Sequence, residues 1–245
     1  LEAESYLDRG IADVMLVGAS GTRIGATRLS YRGDLPTPTL GDRSIADASR
    51  PRDPDSTGVV GGEGAASLVM ETESHAAARG AVVLARVLAT ASRFCPSPAM
   101  ANYDRSASID PTHSRQATTA ISLAIKSVLK TAQVRPDEVG LVVCHAMGDR
   151  QVDSGEADAI AACGIDCPAA AVSASIGHTG AASGMINVAT GVLAVANKTV
   201  PPTRNAGVDN KGRFLSSARP LESPYVLCLS HTTEGSAMAV LLGDA

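Results

Sequence analysis

The sequence has little aromatic material: no Trp, 2 Phe and 4 Tyr among 245 residues, so aromatics make up 2% of the chain. The interior of any fold it adopts must therefore be built from Ala, Val, Leu and Ile at close backbone approach, a style that 23 Gly residues suit. No apolar run reaches the roughly 20 residues a membrane-spanning helix needs. No block of like charge marks a nucleic-acid or headgroup-binding surface, and 21 basic against 25 acidic residues leave a net charge of -4. The composition thus predicts a protein with neither nucleic acid nor membrane among its partners. Its 5 Cys residues are odd in number and lie mostly in apolar surroundings. That suits a reducing, cytoplasmic compartment better than a disulfide framework. A targeting pattern and an initiating Met are also lacking; the chain opens inside an amphipathic helical pattern, from which Leu1 is expected not to be a natural start.

At 245 residues the chain is long enough to bury a sizeable core. Periodicity predicts a helix end before Gly10, strands at Val14 to Gly18 and Ala66 to Glu71, a short helix at Ser74 to Arg79 and a strand near Ala81 to Ala89. Residues 29 to 58, rich in Pro, Gly, Asp and Ser, read as loop with at most one short helix. An amphipathic helix follows from Ser114 to Thr131, with Ala117, Ile121, Ala124, Ile125, Val128 and Leu129 on one face. A turn at Pro136 to Glu138 leads into a strand, Val139 to Cys144. Helices are expected at Gly155 to Cys163 and Ala181 to Ala196, and strands at Ala170 to Ser173, Tyr225 to Leu229 and Ser236 to Leu242. Strands alternating with helices give an α/β class with a mixed sheet and layered helices.

His145 closes the Val139 to Cys144 run and stands before Gly148 and a spaced set of acids, Asp149, Asp153 and Glu156. An isolated histidine at a strand end is more often structural than catalytic, but three other stretches are equally unusual: RPRDPDSTGVVGGEGAA (50 to 66), SASIGHTGAASG (173 to 184) and VPPTRN (200 to 205). VGASGTRIG (17 to 25) lacks the GxGxxG spacing of a dinucleotide loop. Cys163 and Cys167 have no second ligand pair for a metal. His75, His113, Asp104 and Arg105 read as exposed, and Cys228 as core.

Together these stretches resemble the C-terminal half of a β-ketoacyl synthase, a condensing enzyme of fatty-acid and polyketide assembly. The family pattern HGTGTxxGDxxEAxAI is similar to the run from His145 through Asp153 and Glu156 to Ile160; KSxxGHxxGAAG to Ser173 through His178 to Gly184; RPFDxxRDGFVxGEGAG to Arg50 through Val59 to Ala65; VPPTLN to Val200 through Asn205. The resemblance implies a thiolase-like, layered αβαβα fold with mixed sheets. Residues 1-70 would end an incomplete N-terminal half, and residues 71-245 would form the C-terminal half. It implies decarboxylative Claisen condensation of acyl and malonyl thioesters, an acyltransferase activity, with His145 and His178 as the catalytic pair. No cofactor and no metal are implied; the expected partners are an acyl carrier protein or a coenzyme A thioester, in a homodimer. Two neutral imidazoles suit the chemistry, because they hydrogen-bond a thioester oxygen where negative charge develops. The helix after His178 is expected to keep that imidazole neutral.

Departures from the pattern are equally specific. The family lysine five residues before the second histidine is Ser173, so the cation near Glu156 is expected to be missing, leaving Glu156 protonated or bound elsewhere. Both hydroxyl positions of HGTGT are changed, to Met147 and Asp149. The gating phenylalanine is Val59, and the GFGGTN loop is reduced to His231 through Gly235 to Ala237. The family's cysteine nucleophile would lie roughly ten residues before Leu1, about three helical turns upstream. Cys144 is a poor substitute, since adjacent strand residues point to opposite faces. Two other classes stay open: a non-condensing partner subunit of the chain-length-factor kind, and an acyltransferase or thioesterase variant.

Overall fold

The computed structural model describes residues 1–26, 37–95, 112–205 and 213–245, with side chains of the long helix from residue 118 onward. His113, Asp104, Arg105, Ala117 and the first part of the predicted 29 to 58 loop lie outside what is described. In chain order the elements are α1 (Glu2–Asp8), β1 (Val14–Thr22), β2 (Glu63–Glu71), α2 (Glu73–Ala78), β3 (Arg86–Phe94), α3 (Thr112–Ala132), β4 (Val139–Val143) and α4 (Arg150–Ala162). They continue with β5 (Ala169–Ala170), α5 (Ser173–Ile176), α6 (Ser183–Ala196), β6 (Thr199–Val200), β7 (Arg219–Pro220), β8 (Tyr225–His231) and β9 (Ser236–Gly243).

The centre is a five-stranded mixed sheet in the order β3-β9-β8-β4-β5. β4 runs parallel to β5 and β8, while β9 is antiparallel to both β8 and β3. β4 is apolar on both faces because helices cover both. Val142 and Cys144 face one cluster, with Ile121, Ile125 and Val128 of α3 and Ala159 and Ile160 of α4. Leu141 and Val143 face a second, with Val192 and Val195 of α6 and Val226, Cys228 and Leu242 of the sheet. Burying Ile121, Ile125 and Leu141, each essentially inaccessible, contributes on the order of 1.5–3 kcal/mol apiece.

Small residues let α6 approach the sheet. A Cβ on Gly191 would sit 2.4 Å from Cys228 Sγ and 2.9 Å from Leu242, a separation any larger side chain would widen. On its other side α6 meets an antiparallel ribbon, β1 with β2, whose register pairs Val14 with Glu71 and Thr22 with Glu63. One face of the ribbon is half-buried; on the other the register partners Leu16 and Val69 are exposed. The described residues thus stack as helix, sheet, helix, ribbon.

Most predicted elements are present, with four shifts. The strand expected at Ala81 to Ala89 is β3, five residues later: β9 ends at Gly243 opposite Arg86, so Ala81–Ala85 have no strand to pair with, and Val82, Val83 and Leu84 are exposed. The strand expected at Ala170 to Ser173 is two residues long, and Ser173 begins α5. α4 starts at Arg150 rather than near Gly155, because the Asp149 carboxylate caps it by accepting N–H bonds from Gln151 (2.9 Å) and Val152 (3.1 Å). The VGASGTRIG run is mostly strand, continuing β1 to Thr22. The described part of the 29 to 58 segment is loop with one 3-10 turn, Ile45–Asp47. No helix among the described residues is long and apolar enough to cross a membrane.

Candidate active site

β4 ends at Val143, and residues 144 to 149 then run past the start of α4 without regular structure. Their backbone donors are collected by two buried carboxylates of α4. Glu156 accepts the N–H of His145 at 2.7 Å and of Ala146 at 3.2 Å. Asp153 accepts those of Met147 (2.8 Å), Gly148 (3.0 Å) and, from a distant loop, Arg52 (2.8 Å). The spacing i, i+3 puts both acids on one face of the helix, so α4 serves as a rack for the loop that carries His145. The opposite side is closed by the Ser173 hydroxyl, which donates to the Ala146 carbonyl, and by Ser56, whose hydroxyl donates to Gly148 O at 2.6 Å.

His178 is held by a separate bracket. Its N–H donates to Val60 O (2.8 Å), and its carbonyl accepts from Gly62 N–H (3.0 Å). The two brackets bring His145 and His178 together with ring centroids 5.3 Å apart in an edge-to-face arrangement. A third imidazole, His231 at the end of β8, lies 4.6 Å from the His145 ring, with its Nε2 3.6 Å from Glu156 Oε1. All three histidines are buried. Asn187 of α6 ties their supports to each other, its side-chain amide donating to Cys144 O (3.1 Å) and Leu229 O (2.9 Å).

The expected vacancy beside Glu156 is filled. Arg52 Nη2 lies 3.3 Å from Glu156 Oε2 and 3.2 Å from Cys144 Sγ, and its guanidinium carbon sits 5.2 Å over the Phe214 ring. Burial by itself would raise the Glu156 carboxyl; the His231 imidazole and the Arg52 guanidinium beside it reverse the sign and hold it well below the usual carboxylate range. Glu156 is therefore ionised and re-partnered, not protonated. No local pattern in the sequence marks Arg52, because its partner is 104 residues further on. The sole sequence signal is a charged residue inside an otherwise matching RPFD-like stretch.

Burial depresses both members of the histidine pair. His145 lies well below the ordinary imidazole value through burial and through the neighbouring His231 and His178; His178 is lowered to about 4 by burial, with Arg23 and His231 adding to it. For His178, burial comes first among these causes, with the Arg23 charge next. Ser183 Oγ lies 3.3 Å from His178 Nδ1; with the hydroxyl donating, Nε2 carries the proton and can bond a substrate oxygen.

Asp153 moves the other way, pushed up to about 6 by burial against its backbone N–H bonds. The linkage has a definite sign. Two histidines whose folded values lie below 6.5 give stability that is complete above pH 6.5 and lost as the pH falls towards 4. Asp153 opposes them by one proton between about 6 and 3.8. Unfolding free energy should therefore fall by about 1–1.4 kcal/mol per pH unit, the net of one proton, from pH 6.5 down to about pH 5. Chemical denaturation from pH 7.5 to 4.5 checks it: His178→Gln should flatten the dependence, and a flat wild-type profile would rule the coupling out.

The remaining sites are less central. Val59 is fully buried next to the Val60 bracket. Gly235 lies in the turn joining β8 to β9, where its N–H is engaged by Thr232 O (3.2 Å) and its carbonyl by Cys95 N–H (3.0 Å). VPPTRN acts as bracing: the Thr203 hydroxyl accepts Ala171 N–H at 3.1 Å, and the Asn205 amide reaches Ala46 O at 2.8 Å. His75 is half-buried beside Glu71, which also binds Arg79. The five cysteines are free thiols, with Cys144, Cys167 and Cys228 raised by burial, the last two to about 12. Among the described residues no cluster of three or more His, Cys, Asp or Glu has a metal-holding geometry.

Residues 99–207 match the family model of the β-ketoacyl synthase C-terminal domain. Across 199 residues the chain is 33% identical to 3-oxoacyl-[acyl-carrier-protein] synthase 2 of Mycobacterium tuberculosis, covering 80% of this chain and 45% of that one. The chain belongs to the β-ketoacyl synthase family. The ketoacyl synthase alpha subunit of the tetracenomycin polyketide synthase of Streptomyces glaucescens is 30% identical over 200 residues, with 80% and 45% coverage. Among solved structures, a β-ketoacyl synthase from Burkholderia phymatum superposes with a TM-score of 0.80 at 25% identity, covering 100% of this chain and 58% of that one. The ishigamide ketosynthase/chain length factor gives 0.76 at 23% identity, with 100% and 57% coverage. The fold is therefore that of the thiolase-like ketosynthases. The chain spans about half the length of the curated β-ketoacyl synthases it matches.

Proposed function

We propose that this chain supplies the two-histidine part of a condensing enzyme that joins an acyl and a malonyl thioester in fatty-acid or polyketide synthesis, with His145 and His178 as the catalytic residues. One observation carries the reading: two buried imidazoles, each kept neutral, whose rings lie 5.3 Å apart. In the proposed reaction an acyl group sits as a thioester on a cysteine contributed by a segment outside these 245 residues. The malonyl thioester loses CO₂, and the electron pair of the broken C–C bond passes into an enolate on the thioester oxygen. Hydrogen bonds from the two imidazoles stabilise that oxygen without a change of net charge at the site. The enolate carbon then attacks the acyl carbonyl, and collapse of the tetrahedral intermediate expels the cysteine thiolate.

The thioesters would arrive on an acyl carrier protein or coenzyme A, the protein acting as a cytoplasmic homodimer. An acyl-carrier-protein complex of a related ketosynthase is known among the structural neighbours. A partner-subunit role is favoured by the four-residue turn at 232–235 that stands in place of a longer gating loop, but such a role needs no neutral imidazole pair. Intact mass and N-terminal sequence, then labelling with a thiol-directed acyl mimic and a malonyl decarboxylation assay on the full-length protein, decide between them. A labelled upstream cysteine with CO₂ release supports condensation. Labelling without CO₂ release leaves acyl transfer alone, and the absence of such a thiol leaves the partner role.

A further inference from the structure

Glu156 is completely buried and ionised, and its two oxygens hold the consecutive N–H groups of His145 and Ala146. A carboxylate so placed requires a cation at close range. Arg52 meets that requirement from a backbone in the left-handed region, φ 56, which residues other than Gly, Asn and Asp seldom adopt. The Asp153 carboxylate fixes the Arg52 N–H in that conformation, and the guanidinium is turned inward to 5% side-chain exposure rather than out to solvent. A strained backbone of this kind, over-determined by a buried bond, marks a residue whose direction matters to the site.

We propose that Arg52 is a positioning residue of the histidine pair: with the His231 imidazole on its other oxygen, the Arg52 guanidinium anchors the Glu156 carboxylate, and Glu156 so held keeps the His145–Ala146 peptide oriented so that the His145 ring faces His178. The inference rests on the reading of His145 and His178 as the reacting pair. Arg52 itself touches no reacting atom. The family pattern suggests where a substitute charge could be tried: it carries a lysine at the position of Ser173. Ser173 donates to the carbonyl of Ala146, the residue whose N–H Glu156 holds, and the double variant tests whether a lysine there can take over from Arg52.

The test compares Arg52→Met, Arg52→Lys and the double variant R52M/S173K in the full-length protein. Selective ¹⁵N-histidine labelling reports the His145 amide, one of only 5 histidine signals from this sequence. In R52M that amide resonance is expected to move away from its wild-type position, kcat for malonyl decarboxylation to fall at least tenfold with KM little changed, and the acid limb of the pH profile to shift upward. R52K and R52M/S173K are each expected to restore most of kcat and the amide position. An unmoved amide in folded R52M, or a double variant that recovers neither readout, overturns the proposal. If R52M does not fold, the double variant decides: a folded protein with a wild-type His145 amide supports the assignment, and a lost fold or displaced amide rejects it. If the wild type shows no decarboxylation, the condensing reading fails, while the amide shifts still judge Arg52.

Discussion

His178→Ala is expected to abolish most malonyl decarboxylation, lowering kcat by about 10²–10³-fold, the usual effect of deleting one preorganised donor to a developing oxyanion. The effect should be in kcat rather than KM, because the bond it removes strengthens only as charge reaches the thioester oxygen. His145→Ala should act similarly, and the double variant should cost far less than the product of the two, since the imidazoles bond one oxygen as a unit. Folding should survive, as the bracket holding residue 178 consists of backbone bonds to Val60 and Gly62. Steady-state CO₂ release with circular dichroism as the fold control measures this. Near-wild-type turnover in either single variant would remove the two-histidine mechanism.

Gly62→Ala should be the most damaging small substitution. A Cβ there would lie 1.9 Å from the Ile176 carbonyl oxygen and 2.9 Å from its carbon, and backbone cannot move aside as a side-chain tip can. Because Gly62 N–H also holds the His178 carbonyl and Gly61 bridges to His178, any relief must push this segment away from the bracket. We expect a loss of about 3 kcal/mol or more, equivalent to a fall in Tm of about 6–12 °C for a chain of this size, together with reduced turnover because His178 shifts. Gly25→Ala, where a Cβ meets nothing within 4 Å, should change stability by no more than about 0.5 kcal/mol. Calorimetry on the two variants distinguishes a steric clash from a general intolerance of glycine replacement in this region.

How far the sequence is legible follows from the range of each signal. The face of α3 can be read residue by residue because its period is local, and Ile121, Ile125 and Val128 are buried as the spacing requires. His145 and His178 can be picked out as candidates because each sits inside a stretch that resembles a family pattern. The start of β3 is misread because a strand begins where its neighbour begins, and Ala81–Ala85 offer the same β-forming residues as β3 itself without an opposite strand. The cap at Asp149 is legible in principle, an acid at the head of a helix with Asp153 in its first turn, but the family pattern draws attention to the hydroxyl it replaces. Arg52 is beyond reach. Its ion pair joins positions 104 apart, and neither end carries a local mark of the other. A similar separation hides the His231–Glu156 contact.

The strand order also bears on how the protein is made. β9 is the last strand along the described chain, yet it lies between β3 and β8, and β8 lies between β9 and β4. On the ribosome, β3 emerges long before β9, and β4, though β5 soon follows it, long before β8, so the two apolar clusters lack their central strands until residues 225–243 follow. Until then the faces that α3, α4 and α6 turn to β8 and β9 are uncovered. The nascent chain is therefore a natural client for chaperones that shield apolar surface, and synthesis interrupted shortly before residue 225 would leave a product fit only for degradation.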